Sequence, residues 1–287
     1  MKAGTKFLTS SFRFTLPFAV FCLLLSACYQ PVSACLDINA VNFDATADKS
    51  CCCTYPKLNV TIYQNFNKDT STTDIPYKDN QNYQNDNGWF RINNIVFYLS
   101  DLELTQSNTI YKPADSLKFK VIAPNLTDTL SQSFINDFML VRRSDSGAKN
   151  AGTFRQNGYF DGMQFRVGLT DAANKILQNK TASTHPLHDS LWINKTIARF
   201  IVAKDTITGT VPDTLTFSAS DPLFAPILVT PAIKNSVLFH PTGFDFDIVL
   251  AIDYNKLFKG VNWSVHDPAA WKLKIHDNFP NAFRVSQ

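Results

Sequence analysis

With 287 residues, 45% of them hydrophobic and 24 of them phenylalanine, the chain carries enough apolar side chain for a sizeable globular core. Lys and Arg number 27 against 24 Asp and Glu, but Lys2, Lys6 and Arg13 all lie ahead of the first acid, so the basic excess belongs to the start of the chain. The balanced remainder excludes a basic field of the kind that binds nucleic acid.

Residues 1–27 read as a secretory signal. A positive start leads into the apolar run from Leu16 through Leu25, too short for a confident membrane span, which needs about 20 apolar residues. Leu25-Ser26-Ala27-Cys28 resembles a bacterial lipobox, in which Cys28 is acylated and becomes the mature N-terminus. The expectation is a protein exported and held to the cell envelope by lipid, at the outer membrane, with the rest in water.

Residues 28–55 form a cysteine-rich spacer. Cys35, Cys51, Cys52 and Cys53 fall close together, and an oxidising compartment favours disulfides over a thiolate metal site, with Cys35 bonded to one of the triplet. CLDINAVNFDATADKSCCCTY (35–55) resembles a cysteine-bracketed module that recurs in exported bacterial proteins. It has too few apolar residues to fold without its staple. Asp37, Asp44 and Asp48 are candidate oxygen ligands for calcium, against the plainer reading of a capped spacer.

From residue 56 to 287 the texture is one of short strands split by Asn, Asp, Ser, Thr, Gly and Pro. Leu58, Val60 and Ile62 alternate, and residues 88–106 carry the strongest strand signal. Further strands are predicted over 117–123, 137–143, 162–169, 196–204, 213–218, 226–230, 235–240, 244–253 and 271–276, with brief helical turns only at 171–178 and 253–259. With no sustained period of 3.6 residues, this is an all-β chain, an antiparallel β-sandwich with long loops.

The longest polar connection, between strands at 162–169 and 196–204, contains His185 and His188 just before Trp192. Long connections in compact domains are commonly functional. Imidazole is a common metal ligand, and His240 on a neighbouring strand is the third candidate. The absence of Gly-x-Ser-x-Gly, His-Glu-x-x-His and a glycine-rich phosphate loop argues against an enzyme.

Four segments in order then resemble the MbnP-like family of exported copper-binding proteins. They are Gly88-Trp89-Phe90-Arg91-Ile92 with Phe97-Tyr98-Leu99-Ser100-Asp101-Leu102; Gly158-Tyr159-Phe160-Asp161 through Gly168; Pro186-Leu187 to Trp192; and Phe239-His240-Pro241-Thr242-Gly243. The resemblance implies copper binding or handling at the envelope, an oxidised aromatic at Trp192 beside the histidines, and a dihaem peroxidase-like partner. The chain departs from the family at Asn194, where a second tryptophan is common, at Ser190-Leu191, and at Asn174-Lys175, where some members carry Asn-His. The alternatives are a surface glycan-binding or adhesion module using Trp89, Trp192, Trp263 and Trp271, or a structural lipoprotein whose metal site has degenerated.

Overall fold

A computed structural model describes residues 30–67, 73–78, 81–123, 128–145, 147–189, 196–204, 213–218, 221 and 226–287. Cys28 and Trp192 therefore lie outside the described residues. The chain divides into two compact units, one made of Asn42–Thr54 with the described residues up to Asp37, the other of Ile38–Val41 with Tyr55–Gln287.

In the first unit a two-residue strand β1 (Ser33–Ala34) pairs in parallel with β2 (Lys49–Ser50). Cys35 is bonded to Cys53, while Cys51 and Cys52 stay as thiols. With so little apolar surface, the covalent link and the Asn42 side chain hold the unit: Asn42 donates to the Cys52 carbonyl and accepts from the Thr54 N–H, both at 2.8 Å. Two of the three carboxylates proposed for calcium accept hydrogen bonds within the unit. Asp44 Oδ1 takes the N–H and hydroxyl of Thr46 at 2.8 and 2.6 Å, which lowers its pKa, and Asp48 Oδ2 takes the Val32 N–H at 2.8 Å.

The second unit runs β3 (Lys57–Asn65), β4 (Tyr83–Asn85), β5 (Gly88–Gln106), β6 (Thr109–Tyr111), β7 (Ser116–Ile122), β8 (Thr129–Ile135), β9 (Met139–Arg142), β10 (Ala148–Thr153), β11 (Gly158–Phe160), β12 (Gly162–Val167), β13 (Thr196–Lys204), β14 (Asp213–Ser218), β15 (Ile227–Val229), β16 (Ala232–Ile233), β17 (Leu238–His240), β18 (Phe246–Asp253), helix α1 (Tyr254–Leu257), helix α2 (Pro268–Asn278) and β19 (Phe283–Ser286). The fold is all-β, as the patterning predicts. One sheet has the order β10-β3-β18-β19-β16. The larger has the order β14-β13-β5-β12-β15, with β4, β6 and β9 also on β5. Pairing in the larger sheet is antiparallel throughout. In the smaller sheet β3–β18 and β16–β19 are parallel, two exceptions to the antiparallel pairing expected. Parallel neighbours need a long crossover, and here β3 and β18 are separated by most of the unit.

Strand β5 organises the larger sheet. Its buried side chains run Phe90, Ile92, then Ile95, Phe97, Leu99, then Leu102, Leu104, all in the main core. The steps from 92 to 95 and from 99 to 102 are odd, whereas a flat strand keeps one face at a period of two. Each odd step is a bulge. The ladder to β13 shifts between Ile201 and Val202, and the ladder to β12 shifts between Gln164 and Arg166. Between the bulges, Val96 and Tyr98 point to the opposite face, where they join a second core with Phe119, Val121, Phe138, Leu140, Leu169, Ile176 and Leu187. The β7–β8 hairpin and the polar connection after β12 cover that face.

The predicted strand over 271–276 is a correction: these residues lie in α2. Trp271 and Ile275 are buried one turn apart, whereas Leu273 is 43% exposed, so the apparent alternation was a helical stripe read at period two. Asp267 accepts the Ala270 N–H at 3.0 Å and Pro268 occupies the first turn, the start signal that should have decided for helix.

The second β5 bulge rests on a buried carboxylate. Asp101 has φ of 54°, a conformation costly for a residue with a side chain, and Asp137 Oδ2 accepts the Leu102 N–H at 2.7 Å. Burial raises the Asp137 pKa to about 6, against the pull of its backbone N–H donors. A carboxyl whose folded pKa lies above its unfolded value of 3.8 binds more protons in the folded state, so its contribution falls as pH rises from about 4 to about 6. Asp137→Asn keeps an acceptor for Leu102 and removes the charge. Urea unfolding at pH 4 and pH 7.5 should show the variant gaining stability relative to wild type at the higher pH, by up to about 3 kcal/mol, with the difference vanishing at pH 4.

Candidate functional site

The connection predicted to hold the site is built as a cover over the second core. After β12 it makes 3-10 turns at Ala173–Lys175, Gln178–Lys180 and Pro186–His188. Ile176 bridges Val121 of β7, Leu177 donates to the Lys120 carbonyl at 2.9 Å, and Leu187 is fully buried. The Tyr98 hydroxyl donates to the Pro186 carbonyl at 3.1 Å. These anchors hold residues 183–189 beside β9, and the two walls enclose a cleft of about 570 Å³. It is lined by Phe138, Met139, Leu140, Arg142, Lys149, Asn150, Ser183, Thr184, His185, Pro186, His188 and Asp189.

His185 is structural. Its Nδ1 accepts the Leu187 N–H at 3.1 Å, capping the turn that Pro186 begins, and its Nε2 lies 2.8 Å from Asn136 Oδ1. This pattern places the proton on Nε2 and leaves neither nitrogen for a metal. The ring meets Phe119 and Phe138 edge-on at 5.1 and 6.0 Å, and burial lowers its pKa, which favours the neutral form.

His188 is posed differently. Its Nδ1 lies 3.2 Å from the Thr181 carbonyl, so the N–H belongs there and Nε2 carries the lone pair, with no hydrogen bond from the described residues. A ring held by a backbone carbonyl through one nitrogen is the usual orientation of a histidine that binds through the other. Gln178 fixes this turn by donating to the His188 carbonyl. Asp189 is ion-paired with Arg142 across the cleft mouth.

His240 does not join them. On β17 it is 1% exposed and belongs to the main-core side, stacked on Phe246 at 4.8 Å with a 7° interplanar angle. Its Nδ1 lies 2.5 Å from the Gln156 carbonyl and its Nε2 lies 2.8 Å from the Phe244 carbonyl. Both nitrogens face backbone acceptors, so this imidazole ties the 156–158 and 244 segments together. The expected centre of His185, His188 and His240 is thus not assembled. Among the described residues no group of three or more His, Cys, Asp or Glu side chains is placed to hold a metal ion, which applies equally to calcium at Asp37, Asp44 and Asp48.

The sequence reading passed over the cleft's charged wall, because Arg142, Lys149 and Asp189 carry no local motif and meet only through the β5–β9 and β3–β10 ladders. It also grouped the tryptophans as one surface for a glycan-binding alternative. Trp263 and Trp271 are 2% exposed and lie 5.1 Å apart, but Trp89 is 47% exposed. Trp89 lines a separate cleft of about 650 Å³ with Tyr83, Gln81, Asn82, Gln84, Asn85 and Asp86.

These roles separate by stability. His240→Ala removes a buried ring stacked on Phe246 together with its hydrogen bond to the backbone and is expected to destabilise by about 2–4 kcal/mol, whereas His188→Ala should change stability by less than about 1 kcal/mol. Urea midpoints of the two variants check this, and equal losses would show that His188 is structural as well.

No known protein-family model matches the chain, and no curated protein matches it. Among solved structures, MbnP from Methylosinus trichosporium is similar, at 14% sequence identity over 80% of this chain and 97% of that one, with a TM-score of 0.38.

Proposed function

We propose that the protein is an exported binding protein, tethered by lipid at Cys28 to the bacterial cell envelope, which holds a small polar ligand in the cleft beside His188 and turns nothing over. The observation that carries the reading is the pose of His188: its Nδ1 is held by the Thr181 carbonyl, its Nε2 has no hydrogen bond from the described residues, and the residue lines the cleft. Around it stand donors, Lys149, Asn150 and Arg142, and the Asp189 acceptor. This is the mixture of an apolar floor, here Phe138 and Leu140, with a few placed polar groups that fixes small ligands.

The copper role implied by the sequence resemblance is not supported by this set of residues. Two of its three histidines have both nitrogens engaged, and the cleft's carboxylate, Asp189, is paired with Arg142. One imidazole without further ligands makes at most a weak metal contact. Among the described residues no helix is long and apolar enough to cross a membrane, so the lipid at Cys28 is the anchor in this proposal.

A second reading, glycan binding, has its own observation. An exposed indole at Trp89, flanked by Tyr83 and four amide side chains, presents an apolar platform with hydrogen-bonding rims, which suits a sugar ring.

The full chain in detergent, followed by NMR of its imidazole and indole groups, tests both. Polar metabolites are expected to shift the His188 ring and to lose that effect in Lys149→Ala. Copper should bind no more tightly than micromolar, with the contact abolished by His188→Ala. Nanomolar copper binding that survives His188→Ala would sink the proposal, and oligosaccharide shifts confined to the Trp89 indole would replace it with the second reading.

A further inference from the structure

We infer that the first β5 bulge forms an oxyanion site, built from Arg143 and Arg199 with Arg142 at its edge and suited to a phosphate or sulfate group. The pocket is about 360 Å³ and is lined by Asn93, Asn94, Val96, Arg142, Arg143, Ser144, Asp189 and Arg199. Three guanidinium groups face one carboxylate there, and that carboxylate, Asp189, is paired with Arg142. Among the lining residues cations outnumber the one acid.

Sheet register explains why the arginines converge. Arg199 of β13 is paired with Val96 of β5, and Val96 is paired with Arg142 of β9. Residues directly opposite one another project from the same face, and Val96 belongs to the second core, so Arg199 and Arg142 flank it on that face. Two strand spacings separate their backbones by roughly 10 Å, within the combined reach of two arginine side chains.

The bulge places the third. Where β5 shifts register at Asn93 and Asn94, the Ile92 carbonyl accepts the Tyr77 hydroxyl at 2.6 Å and Arg143 Nη1 at 3.1 Å. The Arg143 guanidinium also lies 5.8 Å over the Tyr77 ring. It is thereby fixed at the pocket wall. Bulges of this kind re-aim side chains beside sites.

The decisive atom is Arg199 Nε, which is buried and has no hydrogen-bond partner. A guanidinium does not give up its proton, and buried donors in folded proteins are nearly always paired. An oxyanion supplies acceptors of the geometry that an arginine fork recognises, and it offsets the surplus charge of the pocket. This inference is independent of the His188 cleft, since an inorganic anion suffices to fill the pocket and no group of that cleft beyond Arg142 and Asp189 is needed.

The test is calorimetric titration of the full chain in detergent with inorganic phosphate, sulfate, a phosphate monoester and acetate, against a chloride background of constant ionic strength. Phosphate and sulfate are expected to bind saturably with one site, and acetate more weakly. A monoester binding more tightly than phosphate would assign the group to a larger ligand, and the reverse would assign it to the free ion. Arg199→Gln and Arg143→Gln should each weaken binding at least tenfold. Arg155→Gln, which removes the same charge from an arginine stacked on Tyr55 at 3.6 Å, should leave it unchanged. Asp189→Asn, which removes the competing carboxylate, should tighten binding several-fold, a gain that a misfolded variant does not show. Unsaturable binding, equal affinity in Arg199→Gln and wild type, or no gain in Asp189→Asn would overturn the inference.

Discussion

Strand β5 has to serve two cores at once, and its two bulges are how it does so. A strand that alternates without interruption gives one face to one core along its whole length. Here Phe90 and Ile92, then Ile95, Phe97 and Leu99, then Leu102 and Leu104 all reach the main core, while Val96 and Tyr98 are left on the other side to seed the second. Five strands, β4, β6, β9, β12 and β13, pair with β5, and the ladders of β12 and β13 shift register at those bulges. Both places considered for ligands on that outer face follow from the same constraint, since β9 and the 183–189 turn meet where the second core ends.

The bulges carry their own support. One is held by the buried Asp137 carboxylate at Leu102, the other by Tyr77 and Arg143 at the Ile92 carbonyl. Polar groups are thus drawn into an apolar sheet because a bulge frees backbone atoms that need partners. In the first bulge that demand brings a guanidinium to a surface already carrying Arg142 and Arg199. Nearby, the charges on the neighbouring stretch of β5 are closed on themselves. Asp101 binds Lys112 and Arg166, each at 3.0 Å, and Lys112 also reaches Glu103. Burial works to raise the Asp101 carboxyl, but these cations outweigh it and hold it low.

Much of the fold was legible in the residues. The strands at 88–106, 196–204 and 213–218 lie where β-branched and aromatic runs put them, because half-buried strands leave a period-two trace that needs no knowledge of the partner. The helix α2 was misread for a local reason, its stripe of Trp271 and Ile275 being short enough to mimic alternation through Leu273. Strand β8 escaped notice since it is mostly exposed, and β10 since its buried positions are only Ala151 and Gly152, so little apolar pattern marks either. The candidate site was half legible. The connection holding His185 and His188 does line a cleft, as its length and polarity suggested, but imidazole content said nothing about which nitrogens would be free.

By itself, the sequence determined the strand-rich class, the cysteine-stapled first unit with Cys35 in its bond, and the segment in which a cleft would form, because each of these depends on neighbours a few residues apart. Tertiary structure alone decided the roles of the histidines. Backbone carbonyls at Gln156 and Phe244 claim both nitrogens of His240, Asn136 and Leu187 claim those of His185, and Thr181 takes only one from His188. It also gathered Arg142, Arg143 and Arg199 to one bulge from strands far apart in the chain. The reason is that a side chain's chemistry is set by which acceptors and charges surround it. Those neighbours are chosen by strand register, a property no single segment contains.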